Sequence, residues 1–462
     1  MRSKIIANEK KKSYNYIKNK DGNGEKLAKI NKVVGFIDSI IGKAIVVGVE
    51  LHGRDKQGSM EESLAELKEL ARAANIDVAK VVKQKLNKIK VGTYLGSGKL
   101  DEIKMMSKIH GADILLVDDE LSGIQIRNME AYLDMEIIDR TSLILDIFAT
   151  RAKTKEGKLQ VELARLKYAK PREIGGMGIA LSRQGGGIGT RGLGEKKLEI
   201  DKRNISKRIS DVEKAIEDVK KQREVQRNKR QKSHLPTISL VGYTNSGKST
   251  LMNHFIRENN PLWSKHESPA EDMLFATLDP FHRKITLKDN LEFILADTVG
   301  FVSKLPHSLV DAFMSTLEEV READLLLYIL DISNDDYELQ LRVTQEVIKE
   351  LQADDKPYII VENKSDRLEE GVVREHSEVF ATSVRISALT GDGVDDLIHE
   401  IEKKLLINFT VVEMLIPFSE GRLASYIMDK TKVLDHEYQG DGLWVRTNLN
   451  EHDAERYKKF IK

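Results

Sequence analysis

The sequence contains no cysteine, which excludes disulfide bonds, thiolate metal sites and cysteine nucleophiles together. This absence is typical of a reducing compartment, so the sequence predicts a cytoplasmic location. No apolar run approaches the length of about 18 residues that a membrane span needs, and the longest, Leu325–Leu330, is far shorter. The basic N-terminal residues lack the apolar core of a secretory signal. The 11 histidines form no cluster with the spacing of metal ligands, which argues against a transition-metal site.

The chain also lacks net charge, since 74 Lys and Arg residues balance 74 Asp and Glu residues. The charge is nevertheless sorted along the sequence. Residues 1–30 carry +6, residues 31–150 carry −3, residues 151–234 carry +13 and residues 235–462 carry −16. The block of +13 favours a polyanionic partner, with nucleic acid as the first candidate, and a solvated helical hairpin is the alternative.

Hydrophobic patterning predicts a multidomain α/β protein. Short apolar runs alternate with helical patterns in two regions, and a long helical seam with coiled-coil spacing separates them. The predicted parts, in chain order, are a basic leader over 1–31, an N-terminal α/β domain over 32–150, a basic αα-hairpin over 151–235, a doubly wound α/β domain over 236–407 and a small α+β domain over 408–462.

The predicted hairpin contains a loop over residues 171–194 with nine glycines and three arginines. Glycine permits close approach of the backbone to another surface, and arginine suits phosphate. A binding role and a flexible linker both explain this composition. If the loop binds RNA, the candidate contact residues are Arg172, Arg183, Gly186, Gly187 and Arg191.

The strongest chemical signal is the run Gly242–Thr250, which matches G-x-x-x-x-G-K-[ST] between an apolar strand and a helix. In this motif backbone amides wrap the phosphates, and the helix N-terminus adds its positive dipole. Lys248 is expected to reach the β- and γ-phosphates, and the Ser249 hydroxyl is expected to ligate Mg²⁺. The predicted nucleotide-binding residues of the run are Gly242, Asn245, Ser246, Gly247, Lys248, Ser249 and Thr250.

A second motif, Asn363-Lys364-Ser365-Asp366, follows another apolar strand and selects the base. The carboxylate of Asp366 can accept both hydrogens that guanine offers at N1 and N2, which adenine does not offer. Asn363 can tie this segment to the phosphate loop, and the stem of Lys364 can lie over the base. Ser387 and Ala388 can support the guanine through backbone amides. Alone the motif is short enough to be an ordinary turn, but with the phosphate loop it favours GTP over ATP.

Two further segments complete the predicted site. Asp297 ends a strand in the run Asp297-Thr298-Val299-Gly300, which places a carboxylate near Mg²⁺, through water, and the Gly300 amide near the γ-phosphate. Thr277 lies between this run and the phosphate loop and can supply a second hydroxyl to Mg²⁺, although it also fits a surface loop. The candidate catalytic residues are Lys248, Thr277 and Gly300.

Together these residues resemble the HflX family of translation-factor-class GTPases. Besides the nucleotide motifs, the resemblance rests on the runs Leu95–Lys99, Asp118–Ser122, Asp139–Thr141, Gln160–Ala164 and Gly185–Gly192. It implies a cytoplasmic, monomeric GTPase with Mg²⁺ as cofactor that binds the large ribosomal subunit and its rRNA. It further implies that the protein splits or rescues stalled ribosomes, and a branch of the family is associated with resistance to ribosome-targeting antibiotics.

Two residues predict how hydrolysis is controlled. Ras-type GTPases place a water-orienting glutamine after the D-x-x-G glycine, but this chain has Phe301 there. An aromatic ring cannot orient water, so we expect slow hydrolysis by the chain alone and a partner that completes the site. In GTPases with a similar phosphate loop, an asparagine at the position of Asn245 coordinates K⁺, which makes potassium activation a prediction.

Two rival functions use the same nucleotide chemistry. A GTPase acting in ribosome assembly or RNA modification would need the same basic hairpin, although no second active site is evident in the sequence. A nucleotide-regulated scaffold would bind proteins instead of RNA.

Overall fold

The computed structural model describes residues 42–52, 59–183, 202–221, 235–259, 274–275, 278, 281–287, 291–304, 317–368, 383–405 and 409–462. These residues belong to two compact units, each assembled from separate stretches of the chain. The first draws on Met1–His52, Ala74–Asp146 and Leu163–Asp211, and the second draws on Gly53–Ala73, Ile147–Glu162 and Val212–Lys462.

The helices and strands up to residue 221 alternate as the sequence predicts. In chain order they are β1 (Lys43–Leu51), α1 (Met60–Ala73), β2 (Asp77–Leu86), α2 (Ser97–His110), β3 (Ile114–Val117), α3 (Gly123–Leu133), β4 (Glu136–Asp139), α4 (Arg140–Arg151), α5 (Lys155–Arg183) and α6 (202–221).

In the first unit, the described strands form a parallel sheet in the order β2-β1-β3-β4. Every residue of β3 is buried, as expected of a parallel strand whose two faces are covered. A buried polar network lies beyond the carboxyl ends of β3 and β4. Arg140 donates to Asp118 at 2.9 Å, and Asp139 accepts hydrogen bonds from the backbone amides of Leu121 and Ser142, both at 2.9 Å. These contacts satisfy buried charges that would otherwise destabilise the fold.

Helix α5 corrects the first part of the predicted loop over 171–194, because the helix continues through Pro171 to Arg183. Proline removes one backbone hydrogen bond from a helix. At this point the guanidinium of Arg172 donates to the carbonyl of Tyr168 at 3.0 Å and supports the neighbouring turn. The glycine content of this stretch predicted a loop. Each glycine in a helix costs only about 1 kcal/mol of stability, however, so a few glycines do not end a long helix. Residues 184–201 lie outside the described residues, as does the predicted leader over 1–31.

The second unit contains the larger sheet, in which six described strands have the order β10-β9-β8-β5-β7-β6. All neighbours are parallel except β6 and β7. The elements from residue 236 to 405 are β5 (Thr237–Gly242), α7 (Lys248–Asn259), β6 (Phe281–Thr286), β7 (Glu292–Asp297), α8 (317–322), β8 (Leu325–Asp331), α9 (Tyr337–Glu350), β9 (Tyr358–Asn363), β10 (Ser383–Arg385) and α10 (Val394–Leu405).

This sheet has a hydrophobic core on each face. One core contains Leu251 and Phe255 of α7 with Leu397 and Ile401 of α10. The core on the other face contains Phe301. Because the strands are covered on both sides, they read as continuous apolar runs, and this pattern predicted them correctly. Strand β6 was not predicted, because its residues FHRKIT do not form a continuous apolar run. Ile285 is its one fully buried apolar side chain.

The C-terminal residues add a small antiparallel sheet in the order β11-β13-β12. Its elements are β11 (Phe409–Ile416), α11 (Gly421–Lys430), β12 (Lys432–Gln439), β13 (Gly442–Asn450) and α12 (Glu451–Arg456). Leu423 and Ile427 of α11 pack against Met414 and Val445 of the sheet, which gives this part its own core. The multidomain α/β fold class predicted from the sequence is confirmed.

The two compact units do not follow the boundaries predicted from the sequence. Helix α1 and residues 147–162 belong to the second unit, although both lie within or beside the predicted N-terminal domain. Periodicity shows that α1 has an apolar face, with Leu64, Leu67 and Leu70 buried, but it does not say which part of the molecule covers that face. No helix among the described residues combines the length and the apolar character that crossing a membrane requires.

Candidate nucleotide site

The phosphate loop connects β5 to α7, and its backbone requires glycine at two points. Gly242 has φ of +150° and Gly247 has φ of +99°. A Cβ atom on Gly242 would lie 2.4 Å from the carbonyl oxygen of Ile329, and one on Gly247 would lie 2.0 Å from Nδ2 of Asn363. A side chain at either position would therefore push the loop away from the neighbouring strands.

The interior of the loop offers polar groups suited to phosphate. Within the described part of the chain, the hydroxyls of Thr244 and Ser246 are buried and have no hydrogen-bond partner. Buried polar atoms in this condition fit a ligand that supplies their partners. The N-terminus of α7 follows at Lys248, so its amides and dipole add to the attraction for an anion.

Lys248 points back into the loop, as the motif requires. Its ammonium donates to the carbonyls of Gly242 at 3.1 Å and Tyr243 at 2.6 Å. Burial lowers the pKa of Lys248 to about 8, while Asp297 opposes this shift and Lys364 adds to it. A desolvated ammonium gains strongly from a phosphate oxygen, which restores the lost interaction with polar surroundings.

The predicted magnesium ligands are brought together. The Ser249 hydroxyl donates to Oδ2 of Asp297 at 2.7 Å, which joins the start of α7 to the end of β7. A hydroxyl and a carboxylate are hard oxygen ligands, and Mg²⁺ prefers such ligands beside substrate phosphates. These residues therefore fit the metal, which would neutralise phosphate charge at this point when bound. Thr277, the other predicted ligand, lies outside the described residues.

The guanine segment is tied directly to the phosphate loop. Asn363, at the end of β9, donates from Nδ2 to the carbonyl of Ser246 at 2.8 Å, and its Oδ1 accepts from the amide of Ala388 at 2.9 Å. Ser387 donates to Asp366 at 2.7 Å and so orients a carboxylate that is exposed to a ligand. Lys364 has φ of +64° and forms an ion pair with Asp331 at 2.6 Å. The structure thus brings together the five residues that the sequence assigned to base recognition, namely Asn363, Lys364, Asp366, Ser387 and Ala388.

The segment after Asp297 lies against the phosphate loop. The amide of Phe301 donates to the carbonyl of Gly242 at 3.1 Å, and its carbonyl accepts from the amide of Thr244 at 2.7 Å. A Cβ built on Gly300 would lie 2.9 Å from Nζ of Lys248. The side chain of Phe301 is buried in the core with Val241 and Leu317, so its ring does not face the phosphate loop.

Glu66 is a residue at this site that sequence reasoning missed. It lies on α1, far from the nucleotide motifs in sequence, yet its carboxylate accepts hydrogen bonds from the hydroxyls of Tyr243 and Ser303. Tyr243 belongs to the phosphate loop and Ser303 follows Phe301. The sequence carries no signal for this contact, because Glu66 looks like any glutamate on the polar face of an amphipathic helix.

Of the predicted RNA contacts, Arg172 is placed differently from the expectation. Its guanidinium donates to Glu120 at 2.9 Å and Asp139 at 3.3 Å and lies 3.4 Å from the centroid of the Tyr168 ring. The side chain is 13% exposed, so it serves an internal ion-pair network and not an open loop. Gly186, Gly187 and Arg191 lie outside the described residues. Arg183 ends α5.

Replacing Asp366 tests the assignment of the base. Asp366→Asn is expected to lower the affinity for GTP by about 100-fold, because an amide cannot accept both guanine hydrogens. Its affinity for xanthosine triphosphate should rise, since the amide can donate to the extra carbonyl of xanthine. Fluorescence titration of both nucleotides measures the two affinities. Asp396→Asn, an exposed change on α10, is the control, and equal losses for both nucleotides in Asp366→Asn would contradict the assignment.

Comparisons with known proteins cover almost the whole chain. Residues 61–149 match the family described as GTP-binding GTPase N-terminal, and residues 151–230 match GTP-binding GTPase Middle Region. Residues 237–364 match the family described as 50S ribosome-binding GTPase, and residues 372–459 match the HflX C-terminal domain. Among solved structures, a GTP-binding protein from Sulfolobus solfataricus in complex with GDP is 25% identical, with a TM-score of 0.42, and the match covers 78% of this chain and 98% of that chain.

Relatives named GTPase HflX are similar over most of their length. The protein from Caldanaerobacter subterraneus subsp. tengcongensis is 45% identical over 401 residues, which is 87% of this chain and 90% of the relative. The protein from Escherichia coli K12 is 41% identical over 79% of this chain and 84% of the relative. The protein from Chlamydia pneumoniae is 36% identical over 87% and 84%, respectively. With this similarity and the assembled guanine and phosphate sites, the chain belongs to the HflX family of GTPases and hydrolyses GTP.

Proposed function

We propose that this chain is a GTP-controlled factor that binds the large ribosomal subunit through rRNA and splits or rescues stalled ribosomes. The observation that carries the proposal is the separation of charge along the chain. The segment 151–234 carries +13, whereas residues 235–462, which include the nucleotide site, carry −16. A basic segment joined to a nucleotide switch suits a protein whose affinity for RNA phosphate depends on whether GTP is bound.

Helix α6 of the basic segment carries seven basic and four acidic residues, a net charge of +3. On α6, the exposed basic side chains are Lys202, Arg203, Lys207, Lys214 and Lys221. The buried positions Ile205 and Val212 lie seven residues apart, so one face is apolar and the others are left for charge. The family match over residues 237–364, described as 50S ribosome-binding GTPase, supports a ribosomal partner.

Burial of Phe301 supports control by a partner. The ring packs in the hydrophobic core and is 2% exposed, so the position that holds glutamine in Ras-type enzymes contributes no water-orienting group. A catalytic group or its correct placement then has to come from elsewhere. In this proposal the ribosome supplies it, and GTP is hydrolysed when the factor has reached its target.

Turnover with and without ribosomal subunits tests the proposal. Purified large subunits should raise the GTPase rate of the full chain by at least about tenfold, because they complete the electrostatic stabilisation of the transition state. The subunit concentration that gives half-maximal stimulation should rise steeply with salt, as expected of RNA phosphate contacts. Equal rates with and without subunits would contradict the proposal, and would favour the scaffold alternative if binding to subunits were also absent.

Arginine variants of the basic segment locate the RNA contact. Arg183→Ala combined with Arg191→Ala should weaken the stimulation of GTP hydrolysis by large subunits. The slope of log affinity against log salt concentration should fall by about two, one for each lost phosphate contact. The matched control is Lys403→Ala with Lys458→Ala, two side chains that are 66% and 73% exposed on other parts of the chain. Stimulation by free assembly intermediates but not by mature subunits would favour the assembly or RNA-modification alternative.

Potassium activation is a separate part of the proposal. Asn245 has φ of +59° in the phosphate loop, a backbone conformation that glycine also adopts readily. Turnover in KCl should exceed turnover in matched NaCl by about tenfold, which corresponds to ~1.4 kcal/mol of transition-state stabilisation. Asn245→Gly keeps the backbone conformation and removes the amide, so it should abolish the difference between the two salts. Equal GTP turnover of the parent chain in both salts would rule out activation by K⁺.

Protection against ribosome-targeting antibiotics rests on the family resemblance alone and stays a prediction. Growth of a deletion strain and a complemented strain across drug concentrations would test it.

A further inference from the structure

Helix α1, which carries Glu66, is held in place by its N-terminal cap and by its buried leucines. Its N-terminus is closed by reciprocal hydrogen bonds between Ser59 and Glu62, at 2.8 and 3.2 Å. Leu64 and Leu67 are buried on either side of Glu66 in sequence. The packing of the helix therefore places the Glu66 carboxylate beside the phosphate loop.

Glu66 joins the phosphate loop to the segment that follows Phe301. Both of its carboxylate oxygens are used: Oε1 accepts from the hydroxyl of Tyr243, and Oε2 accepts from the hydroxyl of Ser303. The amide of Ser303 also donates to Tyr243, and lies 3.4 Å from Oε1 of Glu66. Charge-assisted hydrogen bonds of this kind are roughly twice as strong as neutral ones.

The joined segment leaves little room beside Lys248. The two backbone hydrogen bonds of Phe301 fix it to the phosphate loop, and Gly300 is held there with it. A single carbon added to Gly300 would approach Thr244 Cα to 2.7 Å and Lys248 Nζ to 2.9 Å. Gly300 therefore lies against the ammonium of Lys248, the group that the motif assigns to the β- and γ-phosphates.

We propose that Glu66 is a positioning residue that holds the segment Gly300–Ser303 on the phosphate loop and so makes the chain discriminate between GTP and GDP. The carboxylate stabilises the conformation in which the segment is close to Lys248. Binding of GTP has to break the contacts with Tyr243 and Ser303, and binding of GDP does not. A ligand shifts such an equilibrium only through its different affinity for the two conformations, and the γ-phosphate provides that difference.

Equilibrium binding of two nucleotides to the full chain tests the proposal. Glu66→Ala should tighten the binding of β,γ-imido-GTP by about tenfold, the effect of losing ~1.4 kcal/mol of competing hydrogen bonds. Its affinity for GDP should stay within about twofold of the parent chain. Ser303→Ala should act in the same direction, and adding it to Glu66→Ala should change the affinity ratio no further, because both changes remove one shared contact.

Controls separate this role from a general effect on folding. Glu69→Ala changes an exposed glutamate on the same helix and should leave both affinities unchanged. Glu66→Gln keeps the size of the side chain and loses the charge, so it should shift the ratio even if Glu66→Ala folds poorly. An unchanged ratio in Glu66→Gln and Ser303→Ala, or weaker binding of the GTP analogue in both, would overturn the proposal. These measurements use no ribosome, so their outcome is independent of the proposed partner.

Discussion

The hydrogen bond between Asn363 and the carbonyl of Ser246 joins base recognition to phosphate recognition. It also fixes the loop so closely that a Cβ on Gly247 would lie 2.0 Å from the asparagine amide. On the other side, Gly242 touches the backbone of β8. Held at both points, the loop presents Lys248 and the start of α7 to the phosphates without reorganisation, which is how electrostatic preorganisation assists catalysis.

Around this loop, hydrogen bonds join the remaining parts of the site to one another. Ser249 and Asp297, the predicted Mg²⁺ ligands, are joined by a hydrogen bond, and the segment from Gly300 to Ser303 rests on the loop through backbone hydrogen bonds. Glu66 connects that segment to a helix which lies in the chain between β1 and β2. The nucleotide site is therefore linked to residues well outside the sequence motifs, and in our proposal the segment from Gly300 to Ser303 is the element that a γ-phosphate shifts.

The sequence predicted the parts of the site that depend on local chemistry. The phosphate loop and the asparagine–aspartate pair follow from glycine and carboxylate requirements that short motifs express directly. Strands β5, β8 and β9 are continuous apolar runs, and this is the pattern from which the sequence predicted an α/β domain. Prediction from the sequence failed where tertiary contacts determine the structure. Helix α5 continues through Pro171, Arg172 turns inward to Asp139, and Glu66 reaches the phosphate loop. No local pattern marks these contacts, because their partners are distant in the sequence.

If Asn363 makes the guanine and phosphate sites a single unit, its removal should weaken nucleotide binding as a whole, and the GDP affinity of Asn363→Ala measures this effect. The substitution removes two buried hydrogen bonds, each worth about 1–1.5 kcal/mol, so we expect a loss of roughly 100-fold in GDP affinity. Thermal unfolding with and without GDP would show that the variant is folded. An Asn363→Ala chain that folds and binds GDP as tightly as the parent chain would contradict the account.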